Sequence, residues 1–312
     1  MARLALLVCS LAVAMAIVEL GLRLAHYGGL RAPVPSEEDE LRTLHPTRGW
    51  ALTPGARALV ENAEFTVEVA INSRGLRDVE HAPEPADGQR RIAVLGDSFM
   101  EANQVALEKT FARALDRALD GTEVINLGVG GYGSAQQWLA LREEGLGYRP
   151  DLVLVAFYYN DVRNNSRTLE GWLWGEEAPK VFGRPYARID ASGAVVVDGP
   201  DYERARRWAE KRRAKERRRR GPALLSVRQI RALFDAGGEL RRHDPNLWLG
   251  PLLADFNSGW SAAEQSVDAY TAAWEKAWQV TERVLTEIGR TSREAGAEVL
   301  VFSVPARFQV EP

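Results

Sequence analysis

The spacing of apolar and polar positions divides the chain into three stretches. From Leu4 to Val18 there is no charge, and the apolar pattern continues through Leu20 and Leu22 with a single acid, Glu19, near its end. That length is close to the roughly 20 residues a membrane-spanning helix needs. Ala14-Met15-Ala16 also fits the small-x-small pattern of a cleaved signal peptide. A buried soluble helix is a third reading. The apolar run beyond that pattern favours an uncleaved anchor over residues 1–25, single-pass in the cell membrane. By analogy with signal anchors, the rest of the chain is expected outside the cytoplasm, in the periplasm.

Residues 26–90 are rich in Gly, Pro and charge and read as a linker with a short β lead-in. "PVPSEEDE" and "HAPEPADGQRR" are polar linkers. Phe65 to Ile71 alternates and is followed by a turn at Asn72 to Gly75, which suggests a hairpin edge.

From Arg91 the rhythm becomes strand, helix, strand, helix, strand. Ile92–Leu95, Glu123–Leu127 and Asp151–Tyr158 are short apolar runs, the last continuous enough for a strand buried on both faces. Leu107, Phe111, Leu115, Ala118 and Leu119 share one helical face between the first two, and Ala135, Trp138, Leu139 and Arg142 suit a helix between the second and third. The alternation then pauses over an insertion at about 162–265. It holds a hairpin in "RIDASGAVVVDGP", a basic run, and a short amphipathic helix in "ALLSVRQIRALF". A long helix follows, with Val267, Tyr270, Trp274, Trp278, Val284, Leu285 and Ile288 roughly in phase, and Trp274 and Trp278 expected in the core. "AEVLVFSVP" reads as a fourth buried strand. Such alternation predicts an α/β fold with a parallel sheet between helices.

Composition narrows this little. The chain has 312 residues, 46% of them hydrophobic, and a formal net charge of −3, so no global attraction to polyanions follows. Cys9 is the only cysteine, which excludes an intrachain disulfide and a cysteine-based metal site. The stretch from Asp201 to Arg220 holds eleven basic and four acidic residues. It reads as a solvated helix with i,i+4 pairs, or as a contact of Arg204–Arg220 with an anionic lipid or glycan surface. Nucleic acid is not expected, given the anchor and the lack of a regular aromatic interleaving of the charges. Trp172, Trp174, Trp248 and Trp260, in or near the insertion, suit either lid packing or an acyl or sugar site.

Three polar clusters stand just past the ends of the first three strands, where open parallel sheets bind ligands. They are Gly96-Asp97-Ser98, Gly128-Val129-Gly130-Gly131-Tyr132-Gly133, and Asn160-Asp161. Singly, each is an ordinary cap or turn. In this order they suit acyl transfer, in which a serine hydroxyl attacks an ester and fixed donors receive the negative charge. Ser98 offers its Oγ and its own N–H, a glycine of the second loop an unobstructed N–H, and Asn160 its side-chain amide. The Gly-rich loop follows the second strand and lacks Gly-Lys-Ser/Thr, so a phosphate or dinucleotide loop fits poorly.

"VLGDSF", "INLGVGGYG" and "YYNDV" resemble the first three blocks of the SGNH (GDSL-type) hydrolases, strongly over 91–160 and more loosely over 264–307. "INSRGLRD" and "VFSVPARFQVEP" resemble a bacterial membrane-anchored branch. The resemblance implies a flavodoxin-like three-layer α/β domain over 91–312, with Ser98 as nucleophile and Ser98, Gly131 and Asn160 as the oxyanion hole. Gly130 is the near alternative to Gly131. No metal and no organic cofactor are implied. The substrate would be an ester or an acetylated glycan. A glycan O-acetyltransferase using the same serine and a non-catalytic relative are the alternatives. The sequence departs from the family where Tyr158 and Tyr159 precede Asn160, a place usually held by glycine, which would narrow the acyl pocket.

The family's last block, Asp-x-x-His, is not found. The histidines are His26, His45, His81 and His243, and none follows the fourth strand. His243 precedes Asp244, the reverse of the family order. The expectation is a domain truncated at its C-terminus, without a catalytic Asp or His in this chain and inactive alone.

Overall fold

The computed structural model describes residues 40–61, 65–219 and 267–305, with the single residue Ile17. The expected anchor apart from Ile17, His26, the helix expected over 223–234, His243, Trp248 and Trp260 lie outside the described residues. Among the described residues no helix is long and apolar enough to cross a membrane.

Two antiparallel hairpins come first. β1 (Arg42–His45) pairs with β2 (Gly49–Leu52), and β3 (Arg57–Glu61) pairs with β4 (Thr66–Ala70). Their inward residues Leu41, Leu52, Ala58, Val60, Val69 and Ile71 form a core with Val129, Tyr132 and Ala140. The lead-in therefore packs on the loop and helix that follow the second strand of the main sheet.

The main unit runs β5 (Arg90–Leu95), α1 (Ser98–Glu101), α2 (Phe111–Ala118), β6 (Thr122–Asn126), α3 (Ser134–Glu143) and β7 (Leu152–Phe157). It continues through α4 (Asn160–Asn164), α5 (Arg167–Trp174), α6 (Pro179–Phe182), a hairpin of β8 (Tyr186–Ile189) and β9 (Val195–Asp198), and α7 (Tyr202–Arg219). It closes with α8 (Val267–Glu294) and β10 (Glu298–Ser303). The four parallel strands stand in the order β10-β7-β5-β6, with helices on both faces, so the fold is a three-layer α/β sandwich of flavodoxin-like order. Alternate residues of each strand feed opposite layers. Ala93, Leu95, Ile125, Val153 and Val155 meet Trp138 and Leu141 of α3 and Val280, Val284 and Ile288 of α8. Ile92, Val94, Val124, Leu154 and Ala156 meet Met100 and Ala112.

Several expectations change. The polar linker 81–90 is fixed, because the buried guanidinium of Arg91 donates to the carbonyls of Ala82, Pro83, Glu84 and Tyr148 and to Glu123. On α2 the packed face is that of Ala112 and Arg113, while Phe111 and Leu119 are each 38% exposed. The helix lies along the edge of β6 and turns polar groups to it. Trp278 is 49% exposed and touches Phe157, because the core stripe of α8 runs through Ala277, Val280, Val284 and Ile288. Trp274 is half-buried. β10 is not buried on both faces, since it has a neighbour on one side only among the described residues, and Leu300 is 55% exposed.

The two sheet edges differ. On β6 the outward N–H groups of Val124 and Asn126 are taken by the carboxylates of Asp116 and Asp78, and the Val124 carbonyl by Arg113. On β10 the N–H groups of Glu298 and Val304 bond to β7, so the alternate amides of Val299, Val301 and Ser303 face outward.

His81 fastens the lead-in to the sealed edge, with one ring nitrogen 2.7 Å from Glu123 and the other 3.0 Å from Asp78. Burial opposes its charge, but the two carboxylates outweigh burial and raise its proton affinity. A raised pKa means that the stabilisation is complete below the unfolded-state value of about 6.5 and is lost as pH rises through the folded-state value. His81→Gln should therefore cost about 1–3 kcal/mol near pH 6. Urea unfolding from pH 6 to 9 should show that difference shrinking; a constant difference would mean that folding leaves the proton affinity of His81 unchanged.

Candidate functional site

The loops after β5, β6 and β7 lie on adjacent strands at one end of the sheet. The strand order reverses between β5 and β7, the switch point at which such sheets bind ligands. One hydrogen bond crosses it. Asn160 Nδ2 donates to Asp97 Oδ2 at 3.0 Å, and Asp97 is the residue before Ser98. Asp97 also caps α1, its other oxygen accepting the Phe99 N–H at 3.0 Å. Ser98 is exposed at the start of α1, and neither its Oγ nor its N–H has a partner among the described residues.

Asp161 anchors the third loop from beneath. It is buried and accepts from Gln137 Nε2 at 3.0 Å and from the Tyr158 N–H at 3.1 Å. Burial pushes its carboxyl well above the usual range, with the Asp97 charge adding to this. Burial also raises Asp97, against the bonds from Phe99 and Asn160. The residues expected to narrow the acyl pocket form an aromatic cluster beside Ser98. Phe99 and Tyr158 have ring centroids 4.6 Å apart, and Tyr158 and Tyr159 4.5 Å. Trp172 instead stacks on Tyr270 of α8, and Trp174 carries Lys180 over its ring.

The second loop is tied to α1. Glu101, one turn after Ser98, accepts the Gly130 N–H and pairs with Arg42 at 3.0 Å. Asn126 accepts the Gly128 N–H at 3.0 Å and donates to the Met100 carbonyl at 2.8 Å. Gly131 has φ +79°, a conformation that favours glycine, and its N–H has no partner among the described residues.

The three expected residues thus stand on neighbouring strand ends, with Asn160 joined directly to the Ser98 turn and Gly131 joined to it through Gly130 and Glu101. No histidine among the described residues bonds to Ser98. His81 is held by Asp78 and Glu123, and His45 by Thr47 and Arg48 in the lead-in. Sequence reasoning missed Arg42, Trp50, Glu101 and Arg184 as parts of this neighbourhood. The one local signal was Glu101, an acid three positions after the serine.

No family model matches the chain, and no curated protein matches it. Among solved structures, that of a proposed acylhydrolase from Bacteroides fragilis is similar over 51% of this chain and 68% of its own, with 17% identity and a TM-score of 0.21. A likeness at that score adds nothing to the geometry above.

The two central glycines should respond differently to alanine. At Gly131 a Cβ meets only Trp50, at 3.5 Å, so the cost is the left-handed backbone, about 1–2 kcal/mol. At Gly130 it would lie 2.6 Å from Arg42 Nη2 and 2.8 Å from Glu101 Oε2. Gly130→Ala should therefore cost more, about 3–5 kcal/mol if the buried Glu101 carboxylate loses Arg42. Urea unfolding of both variants checks the order; equal costs would mean that the pair moves aside freely.

Proposed function

We propose that the chain is a serine ester hydrolase of the SGNH (GDSL-type) kind, working through an acyl-serine intermediate. The observation that carries this reading is the order of groups at the strand ends. An exposed serine follows β5, a glycine N–H without a partner among the described residues follows β6, and a side-chain amide fixed by Asp97 follows β7. In this reading Ser98 Oγ attacks the ester carbonyl and loses its proton to a base. The carbonyl oxygen becomes an oxyanion and takes hydrogen bonds from the N–H groups of Ser98 and Gly131 and from the second hydrogen of Asn160 Nδ2. The C–O bond to the alcohol then breaks, the alcohol leaves with a proton, and water releases the acid from Ser98. The bond to Asp97 holds the Asn160 amide before substrate arrives, the preorganisation such a donor needs.

The reading includes a missing part. His45 and His81 are engaged elsewhere, so among the described residues no histidine serves Ser98 as a base. Acyl transfer is then limited by proton removal, a step to which a positioned base contributes about 10²–10⁴-fold.

Imidazole in solution can stand in for that base. The full chain should release p-nitrophenol from p-nitrophenyl acetate no faster than Ser98→Ala when imidazole is absent. With imidazole added, the wild type should exceed Ser98→Ala at the same concentration and carry one acetyl group on Ser98 by mass spectrometry. Asn160→Ala should lower that excess by about 10²–10³. Equal rates for wild type and Ser98→Ala at every imidazole concentration would sink the nucleophile assignment. Ser98-dependent turnover without imidazole would leave the nucleophile and overturn the missing base.

A further inference from the structure

The glycine loop is gripped by the two parts of the chain that flank the sheet. From β2, the Trp50 indole N–H donates to the Gly130 carbonyl at 3.1 Å, and Arg42 of β1 reaches the same oxygen at 3.4 Å. One peptide further on, Arg184, just after α6, donates to the Gly131 carbonyl at 2.8 Å. The two grips share a platform, because the Arg184 guanidinium lies over the Trp50 ring, 4.9 Å from its centroid. Both are braced. The Tyr132 hydroxyl donates to the Trp50 carbonyl at 2.6 Å, and its ring meets the indole edge-on at 5.8 Å. Arg184 is buried, bonds to Gln136 at 2.6 Å and faces Glu170 at 3.8 Å.

This grip fixes a direction. In a trans peptide the carbonyl and the following N–H point to opposite sides. Holding the Gly130 carbonyl against the lead-in turns the Gly131 N–H away from the lead-in. Holding the Gly131 carbonyl as well fixes the planes on both sides of this one residue. Without these bonds a Gly-Gly peptide has the widest rotational freedom in a chain, and φ values of either sign are open to it. A donor that must be aimed before charge develops cannot keep that freedom.

We infer that Trp50 and Arg184 are positioning residues that aim the Gly131 N–H as an oxyanion donor. The lead-in hairpin and the segment after β7 are then working parts of the site. This inference rests on the acyl-transfer reading, and its test separates the two. Acetate is the probe, since its carboxylate oxygen mimics the charge that the donors would meet.

In the ¹⁵N-labelled full chain, the residual dipolar coupling of the Gly131 N–H reports its direction. Acetate titration reports the donors through the Ser98, Gly131 and Asn160 amide shifts. Trp50→Phe keeps an aromatic ring for Arg184 and removes the indole N–H together with one ring of the bicycle. It should change the Gly131 coupling while those of β5 and β7 stay, and weaken acetate binding about three- to tenfold, the loss expected for one neutral hydrogen bond. Arg184→Lys should act in the same way through the neighbouring carbonyl, which guards against a folding defect in either variant alone. An acetate response with coupling and affinity unchanged in both variants would overturn the positioning role and leave the acyl-transfer reading standing. No acetate response at any of the three amides in the wild type would overturn the acyl-transfer reading, and the donor role with it.

Discussion

The carboxylate of Glu101 is buried at the end of α1, and a charge taken out of water must be matched on every side. Its matches come from three places. Arg42 brings the lead-in, Asn103 the chain just beyond α1, and the Gly130 N–H the loop after β6. Since Glu101 lies one helical turn after Ser98, the same ion pair that docks the lead-in sets the glycine loop relative to the serine. Arg77 completes the frame by donating to the carbonyls of Glu101, Ala102 and Val105. It satisfies the backbone where Ala102 takes a positive φ of 52°, a conformation that a residue with a Cβ adopts at some cost.

The second frame is the pair of buried acids under the third loop. Asp97 and Asp161 are both pushed toward their neutral forms by burial, and each is used as an acceptor, Asp97 toward Phe99 and Asn160, Asp161 toward Tyr158 and Gln137. Asn160 therefore sits between two side chains whose own positions are set by backbone bonds. Its amide direction follows from the fold and does not wait for a ligand.

The sheet was legible in the sequence because a strand buried on both faces writes itself as a continuous apolar run, as β5 and β7 do. The placement of Ser98, Gly131 and Asn160 at neighbouring strand ends was legible to the same depth, since each follows a strand within a few residues. What holds them was not. Trp50 stands 80 residues from Gly130, Arg42 59 from Glu101, and Arg184 53 from Gly131, so no local pattern announces the contacts. The lead-in was hidden for a related reason. Its Gly, Pro and charge content reads as linker, yet the charges are bound, His81 by two carboxylates and Arg91 by four carbonyls and Glu123. Exposure was misread where it depends on neighbours and not on the residue itself. Trp278 is one position off the packed stripe of α8, and β10 has the composition of an interior strand in an outer place.

The contrast between the two margins of the sheet gives it a polarity. At β6, carboxylates and a guanidinium occupy the hydrogen-bonding groups that a further strand would need. At β10, among the described residues, the amides of Val299, Val301 and Ser303 stay open beside the exposed side chains of Leu300 and Val301. Lateral extension of this sheet is thus a one-way process. Any strand that joins it must read the register of β10, and β10 and β7 would stand between it and β5, the strand that leads to Ser98, on the Asn160 side.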